Sequence, residues 1–285
     1  MKTNLMKAVL VTGTSSGIGK SIALHLDKSG FKVYAGVRKN QDGENLKKLS
    51  SINLQPVIID VTDENTIIET RKLIEIEIQN YSEFALVNNA GVAIGSPVEI
   101  QQNSLLRFEM EVNYFGVVSV IQKFLSLLRQ KKGKIINISS ISGKSSVPFN
   151  GTYCASKFAL EAITDALRLE LKPWNISVSN ILPGDIKTDI WEKAITDIDA
   201  RATEWSDEAK KLYEPTIEFM KDTIRNVKGS NPEIISKAVE KLLESKNPKT
   251  RVLIGKNVWL YYFLEKLPTI VRDWIIFSKM PKYGA

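Results

Sequence analysis

Tyr153 and Lys157 stand four residues apart in the segment "YCASK", and this pair could move a proton to or from an alcohol or carbonyl oxygen. On a helix the two side chains would share a face, with their Cβ atoms roughly 5–6 Å apart. A phenol has a pKa near ~10 and is a weak base at neutral pH, but an ammonium beside it favours the phenolate. The same spacing recurs at Tyr262 and Lys266, so the surrounding elements must distinguish a catalytic pair from a structural one.

A glycine-rich segment, "TGTSSGIG" at 12–19, could bind a phosphate group. It follows an apolar run and opens a helical pattern in which Ile18, Ile22 and Leu26 share one face. Glycines allow a sharp turn and a close approach of the backbone to an anion, and the N-terminus of the next helix offers unpaired N–H groups. A strand–helix turn without a ligand is the alternative, but this position favours a nucleotide site.

The elements that must position these residues alternate along the chain. Helix-period segments separate short apolar runs, and one of them, 231–243, begins with Asn231 at the N-cap and Pro232 at the first helical position. Strands that are apolar almost throughout and alternate with helices predict an α/β fold, a doubly wound Rossmann-type parallel sheet of about seven strands with helices on both faces. We expect one domain, with strands at 7–12, 32–36, 54–60, 84–88, 133–139, 176–182 and 251–255.

Composition narrows the possible settings and partners. The chain has 285 residues, of which 43% are hydrophobic and 25% charged, as in ordinary globular proteins. Cys154 is the only cysteine and the N-terminal apolar run is too short for a signal peptide, so we expect a reducing, cytoplasmic setting. The net charge of +7 comes without a compact basic run, so no nucleic-acid partner is expected. His25 is the only histidine, which argues against a histidine-based metal site and favours a surface or packed helix residue.

The glycine spacing and the Tyr-Lys pair together point to a family. Gly13, Gly17 and Gly19 follow the pattern G-x-x-x-G-x-G, and with Tyr153 and Lys157 downstream the chain resembles the single-domain branch of the short-chain dehydrogenase/reductase family. The resemblance reaches from the first strand to about residue 190 and returns at the seventh strand. Four further motifs agree with it in order: "NNAG" at 88–91, Asn113 in "EVNYFG", "NISS" at 137–140 and "PGDIKT" at 183–188.

The resemblance implies roles for four catalytic residues. Tyr153 would be the general acid/base, and Lys157 would lower its pKa and hold the nicotinamide ribose hydroxyls. Ser140, thirteen residues before Tyr153, would hydrogen-bond the substrate oxygen. Asn113 would hold a water that links Lys157 to bulk solvent.

The thirteen-residue interval also bears on the alternatives. Ser139 and Ser142 lie beside Ser140, but the interval favours Ser140. Tyr262 has Lys249 at the corresponding place, so its pairing with the following lysine is expected to be structural.

The implied cofactor is a nicotinamide dinucleotide, and the end of the second strand bears on which one. An acidic residue there would accept hydrogen bonds from the adenosine ribose and select NAD. Val37 occupies this place, and Arg38 and Lys39 follow, so NADP is favoured because a guanidinium can bind a 2′-phosphate. The alternative is that Arg38 is solvated beside a pocket that accepts either cofactor, with NAD less favoured than NADP.

Asp60 would line the adenine with Val61, or could instead cap a helix. The expected cofactor-binding residues are Gly13, Ser15, Ser16, Gly17, Ile18, Gly19, Arg38, Asp60, Val61, Asn88, Ala90, Gly91, Tyr153, Lys157, Pro183, Gly184 and Thr188.

The remaining segments concern the substrate. Residues 185–230 would form a helical substrate lid, and 256–285 a C-terminal apolar extension. For the aromatic-rich part of this extension, packing over the pocket is favoured over a dimer contact or an interfacial membrane helix. The extension and "VYAGVR" are similar to the steroid- and retinol-type oxidoreductases, which implies a bulky, apolar ketone or secondary alcohol of steroid, retinoid or lipid type; a polyketide-like carbonyl fits as well.

The expected function is that of an NADP(H)-dependent carbonyl reductase or alcohol dehydrogenase acting on a small molecule. A catalytically idle protein that senses NADP(H) and regulates a partner is the alternative, but the presence of Ser140, Tyr153 and Lys157 together argues against it. The resemblance also implies a homodimer or homotetramer formed through the helices that carry Asn113 and Tyr153.

Overall fold

The structure is a computed structural model and describes residues 5–188, 190–226 and 228–280. These residues contain a seven-stranded, fully parallel sheet in the order β3-β2-β1-β4-β5-β6-β7, which confirms the expected doubly wound Rossmann-type fold. The chain builds outward from β1 to β3 and then returns to β4 on the other side of β1, so the order reverses between β1 and β4. The strands are β1 Met6–Val11, β2 Lys32–Val37, β3 Leu54–Ile58, β4 Tyr81–Asn88, β5 Lys134–Ile138, β6 Ser177–Pro183 and β7 Arg251–Ile254.

Helices follow the strands and cover both faces of the sheet. Two of them, α4 and α5, are joined without a break by a π-helical turn at Glu111–Phe115. The bounds are α1 Gly17–Lys28, α2 Asn40–Lys47, α3 Glu64–Glu77, α4 Asn103–Met110, α5 Gly116–Gln130, α6 Gly151–Glu170, α7 Ile190–Ala202, α8 Asp207–Arg225, α9 Glu233–Glu244, α10 Val258–Leu264 and α11 Thr269–Phe277.

Two hydrophobic cores explain why the strands are apolar almost throughout. Successive residues of a strand point to opposite faces, and in β1 Leu10 belongs to one core whereas Val9 and Val11 belong to the other. The first core includes Phe124 of α5, and the second includes Ile22 of α1. Both faces of the central strands are therefore covered and shielded from solvent, as the sequence pattern predicts.

Two polar residues show how local chemistry sets the element ends. The helix expected at 231–243 spans Glu233–Glu244, because Pro232 precedes the first turn and the Asn231 side chain accepts a hydrogen bond from the Glu233 N–H at 2.9 Å. The His25 ring lies 2.8 Å from a carboxylate oxygen of Glu240, joining α1 to α9, which confirms the packed-surface interpretation of this histidine.

The described residues form no group of three or more acidic, histidine or cysteine side chains able to hold a metal ion. None of the helices described in the same ranges is long and apolar enough to cross a membrane. Residues 189 and 227 of the expected lid and 281–285 of the expected C-terminal extension lie outside the described residues.

Candidate active site

A cavity of about 630 Å³ lies at the C-terminal edge of the sheet, where the strand order reverses. Ligands of open parallel sheets bind at this position. The segment after each of the first six strands contributes to it, because parallel strands deliver all their C-terminal ends to one edge. These contributions include Gly13, Ser15, Ser16, Gly17, Ile18, Gly19, Arg38, Asp60, Val61, Ala90, Gly91, Ser139, Tyr153, Lys157 and Thr188.

The glycine-rich loop between β1 and α1 packs too closely against itself and the end of β4 to carry side chains at Gly13 and Gly19. Gly13 has a φ of +70°, and a Cβ there would lie 2.7 Å from the Ala90 Cα. A Cβ on Gly19 would overlap the Gly13 carbonyl oxygen. The Asn89 side chain donates to the carbonyls of Thr12 and Gly13, both at 3.0 Å, and so ties the loop to the end of β4. The backbone can thus approach a diphosphate at the N-terminus of α1.

Three of the expected cofactor residues do not border the cavity, for identifiable reasons. Asn88 is buried, and its side chain donates to Asn137 Oδ1 at 2.8 Å across the sheet. Pro183 ends β6 inside the sheet, and a Cβ on Gly184 would overlap the Lys256 carbonyl oxygen, so both pack toward the β7–α10 connection. Asn89, which the sequence analysis passes over, borders the cavity in place of its neighbour.

The end of β2 presents a cation and no carboxylate to the cavity. Val37 ends the strand and is buried, and Arg38 follows it, exposed, at the cavity wall. Asp60 also borders the cavity, where Oδ1 accepts hydrogen bonds from the Thr62 N–H at 3.0 Å and from its hydroxyl at 2.8 Å. The capping alternative for Asp60 is wrong, because Asp63 caps α3.

The structure brings the expected serine, tyrosine and lysine together. Tyr153 and Lys157 lie in the first two turns of α6, buried at the cavity wall, and the Tyr153 hydroxyl is hydrogen-bonded to the Ser140 side chain beyond β5. The Lys157 Nζ lies 5.7 Å from the centroid of the Tyr153 ring and donates to the Ile138 carbonyl at 3.1 Å. Ser139, the alternative serine, borders the cavity, and its hydroxyl has no hydrogen-bond partner among the described residues.

Burial sets the charge states of this pair. Desolvation raises the pKa of Tyr153, and the hydrogen bond from Ser140 offsets only part of that rise. The pKa of Tyr153 is therefore raised overall, because desolvation outweighs the other influences, and the expectation that Lys157 lowers it stays a prediction. Burial also lowers the pKa of Lys157 to about 8, against the opposing pull of Glu109 and Glu161. At neutral pH the tyrosine is a neutral proton donor beside a cationic lysine.

Asn113 is held by the π-helical turn and is fully buried. Its Oδ1 accepts from the Val92 N–H at 2.9 Å, and its Nδ2 donates to the Val92 carbonyl at 2.8 Å and to Ser156 Oγ at 3.0 Å. A Cβ placed on Gly91 would lie 3.2 Å from Asn113 Oδ1 and 3.7 Å from Lys157 Nζ. The absent side chain of Gly91 therefore leaves a small gap between the amide and the ammonium.

Glu109 is a buried carboxyl that the sequence analysis does not single out. It lies on α4, one turn before Asn113, and is completely buried. One carboxyl oxygen accepts from the Ile94 N–H at 2.8 Å, and the other has no partner among the described residues. Burial raises its pKa to about 7, although the Ile94 N–H and the charges of Lys157 and Arg201 favour the ionised form. Its position four residues before Asn113 on the same helix is a signal in the sequence, but only burial makes it distinctive.

The expected lid contains α7 and α8, and α7 borders the cavity. Arg201 and Asp197 of α7 border the cavity, and the Arg201 guanidinium donates to the Gly95 carbonyl at 3.2 Å. The Lys193 Nζ lies 3.4 Å from Ser16 Oγ in the glycine-rich loop. The same helix thus contacts both the nucleotide end and the substrate end of the cavity.

The second tyrosine–lysine pair lies elsewhere. The Lys266 Nζ is 5.3 Å from the centroid of the Tyr262 ring, close to the value for the first pair, but neither residue borders the cavity. Tyr262 lies on α10 and Lys266 in the turn after it, which agrees with a structural role.

Known proteins resemble this chain in both sequence and fold. A family model described as short chain dehydrogenase matches residues 7–199. Estradiol 17-beta-dehydrogenase 2 of Mus musculus is 34% identical over 284 residues, covering 95% of this chain and 74% of that protein. Retinol dehydrogenase 7 of Rattus norvegicus is 30% identical over 279 residues, covering 95% and 88%.

A solved structure with its cofactor gives a further comparison. A variant of actinorhodin polyketide ketoreductase with NADPH has a TM-score of 0.71 and 26% identity, covering 90% of this chain and 99% of that one. The matched family model spans more than half of the chain, and the relatives extend the similarity through the lid and α10. The chain therefore belongs to the short-chain dehydrogenase/reductase family of oxidoreductases, and its relatives are of the steroid and retinol type.

Proposed function

We propose that the protein transfers a hydride between NADP(H) and a ketone or secondary alcohol whose body is bulky and apolar. One observation carries the proposal: Tyr153 and Lys157 lie at the wall of a cavity that continues along the glycine-rich loop, and the Tyr153 hydroxyl is hydrogen-bonded to Ser140. A site that only binds a nucleotide does not require a buried phenol beside a buried ammonium. The convergence of these groups in a cleft supports proton-coupled chemistry.

The residues present fit a nicotinamide dinucleotide. Gly13, Gly17 and Gly19 border the cavity at the N-terminus of α1, which suits a diphosphate, and Arg38 suits a 2′-phosphate. Lys157 has donors left for ribose hydroxyls, since one bond goes to the Ile138 carbonyl. When bound, the nicotinamide would supply the hydride in reduction and accept it in oxidation. The actinorhodin ketoreductase with NADPH supports the choice of NADP.

The proton is handled by the protein's own groups. In reduction, the neutral Tyr153 hydroxyl donates a hydrogen bond and then its proton to the developing alkoxide of the substrate. Ser140 holds the phenol in place through its hydrogen bond to the Tyr153 oxygen, and its one hydroxyl proton would turn to the substrate oxygen once Tyr153 donates there. The Lys157 ammonium stabilises the phenolate that this transfer leaves behind. In oxidation each step runs in reverse, so Tyr153 acts as the base.

Apolar side chains suggest the kind of substrate. The apolar lining comes from the segment after β4, α4, the π-helical turn and α7, and it includes Ile94, Leu105, Phe108, Val112 and Ile190. Such a wall favours a large apolar body over a sugar or an amino acid. The relatives named for estradiol and retinol support the same class.

A carbonyl panel tests the proposal. NADPH and NADH are first compared by thermal shift, and NADPH oxidation is then followed with steroid, retinoid and long-chain lipid carbonyls and with small polar ones. We expect the larger stabilisation from NADPH and turnover confined to the apolar compounds. Ser140→Ala should keep the NADPH shift while losing most of the turnover. An NADPH shift with no turnover on any carbonyl would instead support the sensor alternative.

A further inference from the structure

The C-terminal helices expose an unusual amount of apolar surface. We call this surface the apolar patch; it consists of large side chains of α10, α11 and the turn between them, each at least 40% exposed. Ile270 is 85% exposed and Trp274 is 70% exposed. Soluble proteins rarely leave so many large apolar side chains together in water. The patch comprises Trp259, Leu260, Phe263, Leu267, Ile270, Val271, Trp274 and Phe277.

The orientation of the two helices is the reverse of that of an ordinary surface helix. Their polar side faces the protein: the Glu265 carboxylate accepts from the Ser146 N–H at 3.3 Å and from Arg272 at 2.9 Å. These bonds join α10 and α11 to each other and to the loop between β5 and α6. Val258 is the one buried residue of α10, and α11 has none. One hydrogen bond to Ser146 and one ion pair between the helices thus help to hold them while large apolar side chains face outward.

The patch does not cover the active site. None of its side chains borders the main cavity, so packing over the pocket does not account for it. Trp274 and Phe277 of α11 instead border a smaller cavity with Ser146 and Pro148, on the loop that leads to Tyr153. The patch therefore lies beside the loop between β5 and α6, outside the main cavity.

We infer that the apolar patch docks on a lipid bilayer whose surface carries anionic headgroups. Tryptophan side chains concentrate at bilayer interfaces, and short amphipathic helices with basic flanks lie in the plane of the interface. With seven and nine residues, α10 and α11 are too short to span a bilayer, so they lie along its surface. The apolar patch enters the boundary between headgroups and acyl chains.

The charges around the patch fit an anionic surface. The segment 256–280 carries two anions, Glu265 and Asp273, and both pair with Arg272. The remaining cations, Lys256, Lys266 and Lys279, have no anionic partner among the described residues. These lysines are free to contact lipid phosphates or carboxylates, each adding to the attraction.

The same charges disfavour a second copy of the chain as the occupant. A two-fold interface places the same patch on both sides, so it would bring the lysines of one copy close to those of the other. No exposed, unpaired anion in the segment 256–280 would compensate for them.

For the proposed apolar substrate, docking would provide access to compounds dissolved in the bilayer. This consequence rests on the proposed function, whereas the docking itself does not.

Vesicle co-sedimentation with the full chain tests the inference. Wild-type protein is pelleted with vesicles of phosphatidylcholine alone and of phosphatidylcholine with phosphatidylserine, at low and high salt. We expect binding to the phosphatidylserine vesicles that weakens with salt. Trp259→Gln/Trp274→Gln should bind at least about tenfold more weakly, because two large apolar side chains no longer leave water. Trp174→Gln, a half-exposed tryptophan outside the patch, should bind like wild type.

Two further measurements separate the other outcomes. Lys266→Glu/Lys279→Glu keeps the apolar patch and should abolish the preference for phosphatidylserine, which keeps the test valid should the tryptophan variant fail to fold. Sedimentation velocity without lipid shows whether the patch joins two copies. A wild-type protein that stays in the supernatant with both vesicle types overturns the inference. So does a dimer that the tryptophan variant converts to a monomer without any effect on vesicle binding. NADPH oxidation is measured separately, so loss of activity and loss of docking are distinguished.

Discussion

The hydroxyl of Tyr153 is hydrogen-bonded to the side chain of Ser140, although α6 and the end of β5 supply the two residues separately. The bond holds the phenol's oxygen at the wall of the cavity, where burial keeps it protonated. This relationship turns the tyrosine into a positioned proton donor for a carbonyl oxygen.

Replacing the donor should uncouple binding from chemistry. Tyr153→Phe keeps the ring and removes the proton, so NADPH-dependent turnover should fall by about 10²–10⁴-fold, the usual contribution of a positioned acid or base. NADPH affinity, measured by fluorescence titration, should change little. Tyr262→Phe is the matched control, because that tyrosine also lies beside a lysine but outside the cavity. Turnover of Tyr153→Phe within tenfold of wild type would exclude the proposed role.

Arg38 should determine the preference for NADP. Arg38→Ser removes the guanidinium at the end of β2, so the Kd for NADPH should rise about ten- to a hundredfold, as expected for a charge-assisted hydrogen bond to a phosphate. The Kd for NADH should stay nearly constant, since it lacks the 2′-phosphate. Lys39→Ser, one residue further from the cavity, serves as the control. Equal weakening of both cofactors would indicate a general structural effect instead.

Glu109 should make stability depend on pH. Its folded-state pKa of about 7 lies above the ordinary value of 4.5, so folding favours the protonated form. The resulting stabilisation is complete below the ordinary pKa and is lost as pH rises through about 7, amounting to roughly 3 kcal/mol. Glu109→Gln should remove this part of the pH dependence. Urea unfolding of both proteins at about pH 5 and pH 8 measures the difference, and parallel pH profiles for the two would contradict the assignment.

The glycine-rich loop should not accept a side chain at Gly19. A Cβ there overlaps the Gly13 carbonyl oxygen, so Gly19→Ala should lower the free energy of unfolding by about 1–3 kcal/mol and weaken NADPH binding. Gly151→Ala is the control, since its Cβ would meet only Val98 at 3.6 Å, an ordinary contact. Chemical denaturation and NADPH titration of both variants decide the matter. A Gly19→Ala protein as stable as wild type would show that the loop relaxes readily.

The sheet could be predicted from sequence because its strands are apolar on both faces, a pattern that few other arrangements produce. The residues at which the strands begin and end were harder to predict from the sequence. β4 begins at Tyr81, three residues before the expected start, because the Tyr81 hydroxyl joins Tyr34 and Glu77 in a buried network. Such a network depends on residues far apart in sequence.

The candidate site shows the same division. Spacing alone placed a lysine beside a tyrosine twice, and the structure reproduces the geometry at both pairs. Burial and the neighbouring Ser140 distinguish the first pair, and only the ordered motifs of the family pointed to them. The desolvation that raises the pKa of Tyr153 and of Glu109 could not be predicted from the sequence, because it depends on the packed structure. The cytoplasmic setting and the homodimer or homotetramer stay predictions.

The π-helical turn at Glu111–Phe115 fixes the phase of the helix that follows it. Each residue of an α-helix rotates the direction of the side chain by about 100°, and a π turn accommodates one residue more than an α turn. Deleting a single residue there would therefore leave an α-helical turn, with Val120 and Phe124 still facing the sheet. The same deletion between the turn and Val120 would instead rotate both side chains by about 100°. Within the turn, Asn113 should tolerate substitution least, because its amide is buried and makes three hydrogen bonds.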